Sequence, residues 1–289
     1  MNTKTIGLCA GALIVSASVS QAVSFVWGGP ATGGVWETDS DWDTGTAPTM
    51  ASQDAQVEIN NGETVTMSST AVIERLYLGD NGTQGSMNTL ILTSGANLRS
   101  GVEPDGTSTN NVTTIGRQYA STLTVLTGAV FTAEQRITLG RSGDANNGPI
   151  TDIGDAEPSF INILGGMVIV TNNGDIDFGN DSASRNSGGG VVTIDNGGLL
   201  ESRLDFIVNA DPISFKSYVQ LNEGTLIMNG NIDVDALIAD DRLKGSGLTW
   251  DFDVTNSGKT TVLGIPEPSS LALLGLSLGG LCLRRRRAS

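Results

Sequence analysis

The sequence contains no histidine, and its two cysteines, Cys9 and Cys282, stand close to opposite ends. Without imidazole, acid–base chemistry at neutral pH falls to carboxylates or lysines with displaced pKa values. With no thiol between residues 10 and 281, disulfides and thiolate zinc sites are excluded from the body of the chain. Basic residues are also scarce, 16 against 31 acidic ones, for a net charge of -15. No basic surface is left to neutralise phosphates, which argues against nucleic acid as a partner. Aromatics make up 5% and charged residues 16%. Disordered chains combine high charge with few β-branched residues, whereas this one is rich in Val, Ile, Leu, Thr and Gly. It is expected to fold.

Long apolar runs occur at the two ends. Lys4, then Ile6 to Val19, then Ser20-Gln21-Ala22 reads as a Sec signal peptide cleaved after Ala22. The apolar run is shorter than the ~20 residues of a membrane span. At the other end, Pro266-Glu267-Pro268 precedes an apolar segment, Leu271 to Leu283, and then Arg284, Arg285, Arg286 and Arg287. Arginines in that place hold the end of the segment at the cytoplasmic face.

Order and spacing of these three elements resemble the PEP-CTERM sorting signal of Gram-negative bacteria, over Ile265 to Arg287. The same signature is also catalogued as an ice-binding protein C-terminal domain. The resemblance implies transient membrane insertion, recognition by an exosortase-type membrane protease, cleavage near Pro266, and delivery to the cell surface or an exopolysaccharide matrix. The competing reading is a single-pass anchor that is never cut. Loss of both ends removes Lys4 and four arginines, leaving 11 basic residues against up to 31 acidic ones, near -20. Such a surface favours solubility and attracts divalent cations.

Between the ends the sequence repeats itself. Six segments follow Φ-x-Φ-x-x-G-x-x-Φ, where Φ is apolar: Val57-Ile59-Gly62-Val65, Leu90-Leu92-Gly95-Leu98, Leu123-Val125-Gly128-Phe131, Ile161-Ile163-Gly166-Ile169, Val192-Ile194-Gly197-Leu200 and Val219-Leu221-Gly224-Ile227. A second motif, Φ-x-Φ followed by Gly, lies between them at Leu76-Leu78-Gly79, Ile137-Leu139-Gly140 and Ile176-Phe178-Gly179. Weaker copies are Thr113-Ile115-Gly116 and Phe206-Val208-Asn209. Alternation makes each Φ-x-Φ a short strand with one buried face. The glycine serves a corner. One such unit cannot bury its own apolar face, but a stack of units can.

The expected fold is therefore all-β, a right-handed parallel β-helix, with the hand set by parallel crossovers. An antiparallel sandwich or propeller is the alternative. The chain divides into a leader (1–22), a β-solenoid (23–264) and the sorting tail (265–289). Within the solenoid, residues 23–55 form a first-coil cap around Trp27, Trp36 and Trp42, 56–231 hold the repeats, and 232–264 close the far end. That closing part is read as a short helix or irregular cap over Asp233 to Leu243, then a strand pair near Trp250 to Phe252 and Thr260 to Leu263. The opening Trp36, Trp42, Pro48 pattern and the L-x-L-x-x-G-x-L phrasing resemble passenger β-helix repeats of autotransporter-like surface proteins, without their β-barrel.

Three groups of residues are candidates for chemistry. Parallel β-helices include polysaccharide lyases and hydrolases, and Asp175, Asp177 and Asp181 with Arg185 imitate their clusters. The residues flanking Ile176 are expected outward and solvated, so catalysis is not the favoured reading. Asp39, Asp41 and Asp43 have the D-x-D-x-D spacing of a Ca²⁺ loop but lack its later Gly and Glu, with Thr44 and Met50 in those places. A polar turn that seats Trp42 is favoured over metal, and no cofactor is required. Outward Thr64, Thr66, Thr122, Thr124 and Thr193 would stack in rows suited to glycan hydroxyls, or serve only as solvated strand residues. The leading expectation is a non-enzymatic structural, adhesive or glycan-binding protein, with a polysaccharide-active enzyme as the competing class.

Overall fold

A computed structural model describes residues 23–31, 33–60, 62–80, 87–102, 112–140, 158–171, 174–179, 189–206 and 217–266. Ala22, Asp181, Arg185, Glu267, Pro268 and Arg284 to Arg287 lie outside the described residues.

The chain opens with β1 (Val23–Val26), β2 (Gly34–Val35) and a 3-10 turn over Asp39–Asp41. Coils of three strands follow: β3 (Ala55–Ile59), β4 (Thr64–Met67) and β5 (Thr70–Ile73), then β6 (Arg75–Leu78), β7 (Asn88–Leu92) and β8 (Asn97–Ser100). The third coil is β9 (Val112–Ile115), β10 (Ser121–Leu126) and β11 (Val130–Ala133), and the fourth β12 (Arg136–Leu139), β13 (Ser159–Leu164) and β14 (Met167–Val170). The fifth is β15 (Asp175–Phe178), β16 (Gly190–Asp195) and β17 (Gly198–Glu201), and the sixth β18 (Arg203–Phe206), β19 (Tyr218–Leu221) and β20 (Gly224–Asn229). Helix α1 (Val234–Ala239), β21 (Leu243–Lys244), β22 (Thr249–Phe252) and β23 (Lys259–Gly264) end the described chain.

Each coil adds one strand to each of three sheets. The first sheet runs β1-β3-β6-β9-β12-β15-β18, the second β2-β4-β7-β10-β13-β16-β19-β21, and the third β5-β8-β11-β14-β17-β20-β23-β22. Strand ladders between coils are parallel, and turn antiparallel where β23 joins β20 and β22; isolated antiparallel bridges link Trp27 to Trp42 and Leu126 to Gly165. The fold is a parallel β-solenoid. A sandwich or propeller is excluded by that pairing.

The alternation seen in the sequence becomes columns of identical depth. In the second sheet Val65, Leu90, Leu123, Ile161, Val192, Val219 and Leu243 stand in register, all at most 1% exposed. In the third, Ala71, Leu98, Phe131, Val168, Leu200, Leu226 and Val262 do the same. Strands about 4.8 Å apart put each apolar side chain on its equivalent in the next coil. Thr113, the polar residue in a weak motif copy, is fully buried, and its hydroxyl donates to Ser100 Oγ at 3.0 Å. A buried hydroxyl needs such a partner.

Four details of the repeat frame differ from the sequence reading. Val57 and Ile59 pair with Leu76 and Leu78 in the first sheet, so Val65 begins the column above Leu90. In the fourth coil Gly165 (φ 78°), not Gly166, takes the corner, and Val168 instead of Ile169 faces the core. Leu226, not Ile227, stacks beneath Leu200. The last copy of the second motif is Leu204-Asp205-Phe206, in register with Ile176-Asp177-Phe178, and Val208 and Asn209 lie outside the described residues. The first copy runs a whole strand early, from the first sheet to the second. In the other three, neighbouring residues of the same kind let the pattern fit one or two places off, and cross-coil pairing decides.

The N-terminal end is closed by aromatic rings. Trp42 meets Trp36 and Trp27 edge-to-face at 4.9 and 5.1 Å between centroids, and Phe25 at 6.3 Å. The Trp36 indole N–H donates to the Pro48 carbonyl at 2.9 Å, and that of Trp42 to the Trp36 carbonyl at 2.8 Å. At the other end, the Asp233 carboxylate caps α1 by accepting from the Ala236 amide, and Val234 and Leu243 join the core. Among the described residues no helix is long and apolar enough to cross a membrane.

Candidate functional site

The outward face of the first sheet gathers the carboxylates. β12, β15 and β18 set Thr138, Asp177 and Asp205 in one column, with Arg136, Asp175 and Arg203 in the column beside it. One carboxylate oxygen from each of Asp175, Asp177 and Asp205 lies within 4.8 Å of the other two. Arg136 Nη1 lies 3.0 Å from Asp177 Oδ2. Such a trio could supply an all-oxygen ligand set to a hard cation, and Arg136 already offsets part of its charge.

Contrary to the solvated position that strand alternation suggests, Asp177 is only 6% exposed, although it points away from the core. Burial pushes its carboxyl up to about 7, the Asp175 charge adds to the effect and Arg136 opposes it. The folded chain therefore keeps a proton that an unfolded Asp, with pKa about 3.9, releases. Its contribution is fully present below about pH 4 and declines as pH rises, to be lost above about 7. Glu63 behaves alike, pushed up to about 7 by burial while accepting from the Asn60 amide. Urea midpoints taken from pH 4 to 8 should fall with rising pH. In Asp177→Asn the fall should shrink to about half, leaving the Glu63 part.

Asp205 and Arg136 escaped the sequence reading. Asp205 is the stacked equivalent of Asp177, and framing the last motif copy on Leu204 and Phe206 would have found it. Arg136 belongs to the preceding coil, 41 positions before Asp177, and only the coil register brings it near.

Asp39, Asp41 and Asp43 do not form a comparable group. Asp43 accepts from the Val26 amide and Asp39 from the Ala47 amide, both at 2.8 Å, so these carboxylates tie the turn that seats Trp42. The threonine rows are mixed. One column reads Thr64, Thr89, Thr122, Phe160, Val191, Tyr218, and the next Thr66, Ile91, Thr124, Asn162, Thr193, Gln220, Lys244. The Lys244 ammonium lies 3.9 Å from the Tyr218 ring centre.

These features define a capped parallel β-solenoid whose last strand, β23, ends two residues before Pro266. Residues 264–287 match the PEP-CTERM protein-sorting motif. The chain is thus an exported protein, held in the membrane by its tail and then processed by an exosortase at the surface. No curated protein and no solved structure matches the chain.

Proposed function

We propose that the processed chain is a non-catalytic surface or matrix protein that binds glycan along its second sheet. The supporting observation is the pair of outward columns, where β13 sets Asn162 beside Phe160 and β19 sets Gln220 beside Tyr218, with Thr residues in the neighbouring coils. Sugars offer both hydroxyls and apolar C–H faces, and hydroxyl or amide groups beside aromatic rings answer both. Coil spacing of about 4.8 Å repeats these contacts along an extended polymer. The acidic body selects neutral chains, or acidic ones bridged by cations. Affinity electrophoresis in gels containing dextran, cellulose derivatives or alginate tests the reading. Retardation is expected, weakened at least about tenfold in an Asn162→Ala, Tyr218→Ala double variant with an unchanged circular dichroism spectrum. Free migration of the parent chain in every gel would refute it.

A second reading, a polysaccharide lyase or hydrolase, draws on the Asp175, Asp177 and Asp205 trio beside Arg136. Close carboxylates with one held protonated near neutrality are the elements of acid–base pairs. Turnover of an acidic polysaccharide that disappears in Asp177→Ala would favour it over the scaffold.

A further inference from the structure

We propose that, before processing, the terminal β22–β23 hairpin rests on the membrane surface, with Trp250, Phe252, Val254 and Ile265 in the headgroup region. The inference rests on the membrane-held state described above and concerns how the solenoid meets the bilayer.

Exposed apolar side chains are concentrated at this end. Of nine large exposed hydrophobics among the described residues, five fall between Trp250 and Ile265: Trp250 and Phe252 at 43%, Val254 at 82%, Leu263 at 39% and Ile265 at 48%. Trp250 and Phe252 share one face of β22, in register with Val262 and Thr260, and β22 is the outermost strand of its sheet. In the closed N-terminal cap, by contrast, Trp27, Trp36 and Trp42 are at most 2% exposed.

The sequence says what lies beyond the hairpin. Leu271, where the apolar tail segment begins, is six residues after Ile265. Six residues span at most about 22 Å when fully extended. The arginines place the far end of that segment in the cytoplasm, so its beginning faces the same side as the solenoid. The hairpin is therefore tethered within a short reach of the outer bilayer surface. Residues 249–266 carry two Asp and one Lys, a net of -1, while the body is strongly acidic. Of these, Asp251 is occupied within the turn, accepting from the Thr255 amide at 3.0 Å and its hydroxyl at 2.6 Å. Trp at the boundary of apolar and wet regions is favoured, since its ring is amphipathic and its N–H keeps a polar partner. The outer edge of β22, unpaired among the described residues, stays hydrated in the headgroup layer, which the hydrocarbon core would not allow.

The chain from residue 23 to residue 289, with the leader removed and the sorting tail retained, reconstituted in phosphatidylcholine vesicles provides the test, with acyl-chain-brominated lipid as quencher. Flotation with the vesicles reports tail insertion, and the emission lost in Trp250→Phe identifies the Trp250 signal. Bromolipid is expected to quench that signal about twofold or more and leave the three cap tryptophans untouched. Val254→Asp, at a position open to solvent, should lower the quenching without unfolding the hairpin. A chain that floats with an unquenched Trp250 overturns the docking and leaves the anchoring intact. A chain that fails to float overturns both. Quenching protection accompanied by cross-linking between β22 strands assigns the patch to a second copy instead, and also overturns the proposal.

Discussion

Replacing Trp42 with Ala is expected to lower the stability of the first coil by about 3–5 kcal/mol, the range for deleting a buried large aromatic. Trp42 is 2% exposed and sits between Phe25, Trp27 and Trp36, each met edge-to-face. Its indole N–H also satisfies the Trp36 carbonyl, which the variant would leave buried without a donor. The consequence extends past one cavity. The cap covers the apolar columns where they would otherwise open to water above Val57 and Val65. An uncovered parallel stack offers strand edges to other chains. Near-UV circular dichroism should lose the signal of the coupled indoles at a lower urea concentration than far-UV signal reports for the remaining coils. Coincident transitions at the parent midpoint would show that the cap does not hold the first coil.

The second large effect is expected at Gly140, where β12 gives way to the connection that leads to β13. Its φ is 72°, a region that β-branched residues avoid, and a Cβ there would overlap the Gly189 carbonyl group, which is backbone. Neither a rotamer change nor a small shift relieves a clash with main chain. Gly140→Val should destabilise the fourth and fifth coils by more than about 4 kcal/mol, beyond the usual span of single substitutions. Because stability in such a stack is a sum of coil terms and neighbour interfaces, the expected signature is a biphasic denaturation curve, with the remaining coils melting separately. A single transition at the parent midpoint would show that the corner tolerates the branch.

Much of the architecture was legible because a solenoid writes its period into the chain. Five of the six long motif copies span a strand of the second sheet, a corner and a strand of the third, and short-motif copies such as Leu76-Leu78 and Ile137-Leu139 mark strands of the first. What the period left open was register. Gly165-Gly166 and Leu226-Ile227 each offer two adjacent residues of the same kind, and nothing local decides which glycine takes the corner or which aliphatic side chain faces inward. The candidate site suffered most from this. Asp175 and Asp177 were visible as neighbours, but their companions Asp205 and Arg136 come from the coils on either side, joined only through cross-coil pairing. Burial of Asp177 was hidden for the same reason, since alternation tells which way a side chain points and not what covers it.

Between β3 and β20, strands take their partners one coil away, in the coil before or the coil after. From Leu90 to Leu123, Ile161, Val192 and Val219 the intervals are 33, 38, 31 and 27 residues. Loop-closure entropy grows only as the logarithm of such lengths, so each added coil costs about the same. A chain of this kind can be lengthened or shortened by a whole coil without changing any kind of contact between those that remain. The length of the stack is thus a quantity that duplication or deletion of about thirty codons can adjust, while the cap and the sorting tail stay as they are.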